Sequence, residues 1–219
     1  MSVLPRRFQR IKNVLNSRMG DLTVLIEGVN KPHNLSAIIR TCDAAGVFQA
    51  NFICDNNKVK TFNSTAQGSQ KWVKLRNHES YSKATNTLRQ EGFKLYGTSL
   101  NENSIDYRDL DFTKNTCFVL GAEKWGLSKE LIEQVDDSIY IPMNGMVQSL
   151  NVSVAGAILL FEAIRQRKNK NLLPFEGEGL NQNEYKKTLF EWTYPELVDS
   201  YKKSNKDYPS LNEDGEIYK

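Results

Sequence analysis

The stretch IPMNGMVQSLNVSVAGAILLFEA, from Ile141 to Ala163, constrains this chain more than any other. A Pro-Met pair and a glycine lead through Ser149-Leu150-Asn151 into a long, almost uncharged helical run. A helix that apolar must be buried. A plain core helix has no need of polar groups crowded at its mouth, whereas a ligand site does. Free backbone N–H groups and the helix dipole at that end favour anionic or electron-rich ligand groups. Either Ser149 or Asn151 could be an ordinary cap, but a helix needs one cap and two polar residues flank Leu150.

Upstream, apolar strand-like runs alternate with helical ones. Leu22 to Glu27, Val47 to Cys54, Lys71 to Leu75, Phe93 to Thr98, Thr116 to Gly121 and Ser138 to Pro142 read as strands. Helices are expected over Asn34 to Gly46, Tyr81 to Gly92, Leu127 to Val135 and Asn151 to Arg167. Thr61 to Gln70 and most of Asn101 to Lys114 read as loop. This alternation predicts an α/β fold with a mainly parallel sheet and helices on both faces. Leu4 to Ser17, with Phe8, Ile11 and Leu15 at helical spacing, reads as an amphipathic helix packed on a larger body. Beyond Leu172 the composition turns to Gly, Pro, Asn, Lys and Glu, with one or two helices between Tyr185 and Tyr201. The boundaries expected are a basic helical extension over 1–20, a main domain over 21–170 and a C-terminal extension over 171–219.

Composition narrows the function. The chain has 219 residues with 39% apolar content and no run long enough to span a bilayer. The N-terminus carries charge but no apolar core of a secretory signal. Three scattered cysteines suggest neither a disulfide framework nor a zinc site, and two histidines leave little for metal binding. A reduced, cytoplasmic protein is expected. GxGxxG, P-loop and GxSxG signatures are missing, which argues against a dinucleotide fold, a phosphate-cradling loop or a nucleophile elbow. The net charge of +3 is unevenly placed. Arg6, Arg7, Arg10, Lys12 and Arg18 precede the first acid, and Arg165, Arg167, Lys168 and Lys170 form a second cluster. Such clusters suit a polyanion such as RNA, or are simply solvated helix faces.

Two further patterns could carry chemistry. In NLSAIIRTCDAAG, from Asn34, the apolar face is Leu35, Ile38, Ile39 and Cys42, and Arg40 lies well away from it at 3.6 residues per turn. Arg40 is either a surface ion pair with Asp43 or a guanidinium offered to phosphate or a reacting hydroxyl. Asn34 fits a helix N-cap. In LGAEKWGL, a strand ends at Gly121 and Glu123 follows its carboxyl end, where open α/β sheets bind ligands. A solvated glutamate on a tight turn is the simpler alternative.

Taken together, NLSAIIRTCDAAG, LGAEKWGLS and IPMNGMVQSLNVSVAGA resemble the SPOUT superfamily of RNA methyltransferases. The flanks PRRFQRIKNVLNSR, GSQKWV and LFEWTYPELVDSYKK are similar to its tRNA-modifying branch. The resemblance implies a parallel sheet whose C-terminal part threads a deep trefoil knot, an S-adenosyl-L-methionine site built from knot loops, and a homodimer. It implies 2′-O-methylation of guanosine 18 in the tRNA D-loop. The alternatives are another ribose, in ribosomal RNA or the anticodon loop, or a non-catalytic RNA-binding relative. Carried onto this chain, it assigns catalysis to Arg40, supported by Asn34, Glu123, Ser149 and Asn151. Cofactor contacts fall to Thr98, Leu100, Leu120, Gly121, Glu123, Ile141, Met143 and Leu150. Arg6, Arg7, Arg10, Lys12, Arg18, Arg40, Arg165 and Arg167 become the RNA-binding cations. No metal and no membrane are expected. A guanidinium keeps its proton and is a poor base. Arg40 is therefore expected to orient the hydroxyl together with a substrate phosphate, although direct proton abstraction stays open.

Overall fold

A computed structural model describes residues 3–29, 31–53, 71–122 and 125–218. The expected loop over Thr61 to Gln70, and Glu123, lie outside them. The chain divides into two compact units: residues 20–172, and residues 1–19 together with 173–219.

Among the described residues, the larger unit is built on seven parallel strands: β1 (Leu22–Glu27), β2 (Gln49–Ile53), β3 (Lys74–His78), β4 (Lys94–Thr98), β5 (Ile105–Asp106), β6 (Thr116–Leu120) and β7 (Asp137–Tyr140). Their order is β3-β2-β1-β6-β4-β7-β5. Strand β6, late in the chain, is inserted between β1 and β4 and pairs with both, from Leu22↔Thr116 to Ile26↔Leu120 on one side and from Lys94↔Thr116 to Gly97↔Val119 on the other. Every residue of β1 and β6 is buried, as their near-continuous apolar sequences require of a strand covered on both faces. The expected strands match in number and type except for β5 and the 3-10 turn Tyr107–Asp109, which fall where loop is expected. A two-residue strand is too short to leave a period in sequence.

Helices cover both faces. Leu25, Leu95, Cys117 and Val119 pack with Ala84 and Leu88 of α3 (Tyr81–Gln90), and with Leu127 and Leu131, the latter in α4 (Lys129–Ile132). Helix α4 is one turn, shorter than the Leu127 to Val135 expected. On the other face α2 (Pro32–Ala44) packs against α5 (Val152–Asn169), and a Cβ placed on Gly156 of α5 would lie 3.0 Å from Leu120 of β6. Tyr96, Phe112 and Phe118 form an aromatic cluster beneath, with centroids 4.9 to 6.2 Å apart.

The far end of α5 locks the amino edge of the sheet. Arg167 is 1% exposed. Its guanidinium donates to the Asp21 carboxylate and to the carbonyls of Phe112, Lys114 and Asp21, at 2.8 to 3.1 Å for the carbonyls. Gln166 beside it donates to the Leu110 carbonyl and accepts from the Phe112 N–H. The expectation that Arg167 binds RNA is therefore corrected: a cation this deep survives only when paired, and its guanidinium is engaged by the fold.

Polar residues also cross the sheet. Asn51, fully buried, donates to Thr23 Oγ1 at 2.9 Å, so its Oδ1 accepts from His78 Nε2 at 3.0 Å. Burial, aided by Arg76, lowers the His78 pKa from its ordinary 6.5.

The smaller unit joins both ends of the chain, which the sequence treats as separate extensions. Phe8, Ile11 and Leu15 of α1 (Pro5–Asn16) are buried, and α1 packs on α6 (Gln182–Thr193), which is followed by α7 (Pro195–Lys203). Phe190 stacks on Tyr208 at 4.6 Å, Tyr194 donates to the Gly215 carbonyl, and a Cβ on Gly215 would strike the Phe8 ring at 2.5 Å. Arg18 is 1% exposed and lies over the Trp192 ring at 5.5 Å. It too is withdrawn from the RNA-binding set, because a buried guanidinium offers nothing to a phosphate in solvent.

Two stability outcomes follow from this packing. Arg167→Gln lowers unfolding free energy by about 3 kcal/mol, since several buried acceptors lose their donor. Arg165→Ala, at a position whose exposed side chain pairs with Glu162, shifts it by under about 1 kcal/mol in urea unfolding. The depressed His78 pKa means the unfolded chain binds this proton more readily. Stability is therefore complete above about pH 6.5 and falls as the pH drops through and below that value. His78→Gln flattens this part of the pH–stability curve, as read from melting temperatures between pH 5 and 8.

Candidate active site

Parallel strands deliver their carboxyl ends to one edge of the sheet, and a crevice opens where strand order reverses. Here β1, β6, β4 and β7 meet at such an edge. A cavity of about 710 Å³ lies there, well within the range of small-ligand sites. Its walls are strand ends: Thr98 to Leu100 at the end of β4, Gly121 and Ala122 after β6, and Ile139 to Ile141 at the end of β7. Met143 and the segment from Val147 to Leu150 form a rim, and Val152, Ala155 and Leu159 of α5 a floor.

The residues expected to hold a cofactor largely converge on this cavity. Thr98, Leu100, Gly121, Ile141, Met143 and Leu150 line it. Leu120 does not; it is fully buried in the sheet beneath, against the α5 face carrying Gly156. The Thr98 hydroxyl donates to the Val119 carbonyl at 3.0 Å, which ties the end of β4 to β6. The loop after β6 is pinched by paired bonds, Ala122 N–H to Gly126 carbonyl at 3.0 Å and Gly126 N–H to Ala122 carbonyl at 2.9 Å. A Cβ on Gly121 would stand 2.3 Å from the Gly126 carbonyl carbon, so only glycine lets the two backbones approach. Such a cradle of backbone edges over an apolar floor suits a small ligand that has both polar and apolar parts. The floor was missed in sequence, although Val152, Ala155 and Leu159 are spaced along one helical face.

Two helix starts frame the polar side. Asn34 is not the N-cap of α2: the helix begins at Pro32 behind Lys31, which makes no side-chain cap, and Asn34 sits inside the first turn, 2% exposed. Proline supplies the first-turn geometry without needing a cap there. Asn34 Oδ1 instead accepts from Asn151 Nδ2 at 3.2 Å, across 117 residues. Asn151 is the true cap of α5, its Oδ1 accepting from the Ser153 N–H at 2.9 Å and the Ser153 hydroxyl at 2.6 Å. The two polar residues around Leu150 thus divide the work, with Asn151 closing the helix and exposed Ser149 on the cavity rim. Arg40 lies on the exposed side of α2, outside the cavity lining.

The other cations separate by exposure. Arg6, Arg7 and Arg10 are exposed along α1, Lys12 is half-buried, and Arg165 is exposed but held by Glu162. Between residues 171 and 219 the sequence has ten acidic and six basic side chains, so that segment is no basic patch. Among the described residues, no cluster of His, Cys, Asp and Glu could hold a metal, and no helix is long and apolar enough to cross a membrane.

This arrangement is that of a methylase: the chain belongs to the SpoU rRNA methylase family, whose model matches residues 21–161, with the family's C-terminal model matching 165–219. It is 50% identical over 186 residues to a tRNA (guanosine(18)-2′-O)-methyltransferase of Thermus thermophilus, covering 85% of this chain and 95% of that protein. It is 43% identical to the Escherichia coli protein of the same name, covering 97% and 93% of the two chains. Among solved structures, the Aquifex aeolicus TrmH/SpoU tRNA modifying enzyme superposes with a TM-score of 0.78 at 38% identity, over 88% of this chain and 97% of that one. An AdoMet-bound rRNA methyltransferase from Sinorhizobium meliloti superposes with a TM-score of 0.55 at 31% identity, over 68% and 58%.

Asn151→Ala removes the cap and lowers stability by about 1 kcal/mol. Gly121→Ala costs about 2 kcal/mol through the backbone clash. Gly145→Ala, whose Cβ would meet nothing, stays within about 0.5 kcal/mol. Thermal or urea unfolding of the three variants checks the set.

Proposed function

We propose that this chain transfers a methyl group from S-adenosyl-L-methionine to the ribose 2′-hydroxyl of guanosine 18 in the D-loop of tRNA. The observation that carries the reading is the bond between Asn34 and Asn151, which ties the helix bearing Arg40 to the mouth of the α5 cavity. High identity to relatives named for that reaction, over nearly the whole chain, supports the substrate.

The bound cofactor supplies an already activated methyl group. The protein's share is positioning and proton management. Backbone edges at Thr98–Leu100, Gly121–Ala122 and Ile139–Ile141, together with Leu150, Ala155 and Leu159, would hold the cofactor. Arg40 grips a substrate phosphate, sets the 2′-oxygen in place and stabilises the negative charge that grows as the hydroxyl loses its proton. Asn34 and Ser149 orient the ribose, Asn151 fixes Asn34, and Glu123 completes the polar set. Arg6, Arg7, Arg10 and Lys12 hold tRNA phosphates, which positions the RNA without reading its sequence.

The reading includes a deep trefoil knot in the C-terminal part of the main domain. Its support is that β7 lies beyond β4 while α5, directly after it, returns to pack on β6 and α2. It also includes a cytoplasmic homodimer. Val154 and Phe161 stand 46% and 50% exposed, two turns apart on one face of α5, and Met146 and Leu100 are exposed beside the cavity. An isologous partner would cover such apolar surface.

Labelled S-adenosylmethionine and an unmodified tRNA transcript give a single 2′-O-methyl group at the D-loop guanosine, located by ribose-methylation-sensitive cleavage. Arg40→Ala loses at least about a hundredfold in turnover while still binding cofactor. Label at another ribose moves the substrate, and full turnover by the variant removes Arg40 from the mechanism.

A further inference from the structure

Glu27 closes β1 and is only 6% exposed. A carboxylate that deep needs donors. One is the backbone N–H of Ser128, 101 residues later, at 2.8 Å from Oε2. The Tyr81 phenol lies close enough for the Glu27 carboxylate to raise its pKa. Ser128 is where the loop after β6 ends and α4 begins: its own hydroxyl accepts from the Leu131 N–H. The start of that loop meets the same strand end, because the place of a Cβ on Gly28 lies 3.5 Å from Ala122 Cβ. The end of β1 therefore touches both the entry and the exit of the loop whose Gly121, Ala122 and Gly126 line the cavity. Four residues after Gly28 the chain enters α2, which carries Asn34 and Arg40.

We propose that Glu27 is a positioning residue for methyl transfer, its carboxylate holding the exit of the cofactor loop at Ser128 in register with the strand that launches the substrate-side helix. The proposal rests on the S-adenosylmethionine reading above. Glu27 touches neither cofactor nor substrate. It acts through the loop backbone, and the donor it must satisfy is an N–H that no side-chain change at Ser128 other than proline removes.

The test is calorimetric binding of S-adenosylhomocysteine, with steady-state kinetics beside it. Glu27→Ala weakens binding and raises KM for S-adenosylmethionine by about tenfold, with KM for tRNA and kcat at saturation unchanged. Glu27→Gln keeps an acceptor oxygen and stays within about threefold of the wild type. Should Glu27→Ala not fold, Ser128 gives a second route, since its φ of −62° already suits proline. Ser128→Pro deletes the N–H and the hydroxyl, Ser128→Ala the hydroxyl alone, and only the proline variant loses cofactor affinity. Wild-type affinity in Glu27→Ala or Ser128→Pro overturns the proposal. So does a loss confined to the active fraction, with Kd unchanged, which marks a merely structural role. A wild-type protein that binds no S-adenosylhomocysteine refutes the cofactor reading itself.

Discussion

Strand β6 pairs on both edges, and the rest of the main unit depends on that. Its N–H and C=O groups are buried on all sides, so each must find a partner in β1 or β4. Once it is seated, the strands before and after it exit side by side at one edge of the sheet. The exits of β4, β6 and β7 then form a crevice made of backbone. This explains why glycine at 121 matters more than any side chain there: two backbones must come closer than a Cβ allows.

Helix α5 joins the two edges of this sheet. At its start Asn151 caps the helix and reaches Asn34. At its end Arg167 and Gln166 bind the carbonyls before β6. The helix spans about 24 Å between Asn151 and Arg167 at 1.5 Å per residue. A basic residue at the far end therefore belongs to the architecture. Charge type alone does not separate these roles, because Arg165 and Arg167 are two residues apart on one helix and differ only in the face they present.

Polar groups within the fold act as ties between segments distant in sequence. Glu27 with Ser128, Asn34 with Asn151 and Asn51 with His78 each join two elements that hydrophobic packing alone would hold less specifically. Two of the three stand at the cavity edge. A site assembled from three strand exits and two helix starts gains its precision from such bonds, since each fixes a backbone position as well as a side chain.

Much was legible beforehand. Alternating apolar segments gave the parallel α/β architecture, because strands buried on both faces must be apolar throughout and helices between them amphipathic. Two of the three motifs, LGAEKWGL and IPMNGMVQSLNVSVAGA, supply cavity lining, with Gly121, Ile141 and Leu150 among it, and Thr98 joins them from the end of β4. Sequence left open which of Ser149 and Asn151 caps α5, made Asn34 a cap that it is not, and placed Arg18 and Arg167 on the surface. Local pattern determined which segments become strands and helices, because backbone propensity and hydrophobic period are properties of neighbouring residues. Only the tertiary structure decided which polar side chains meet across more than a hundred residues and which cations are buried, because both depend on strand order, and strand order is set by long-range pairing that leaves no local period.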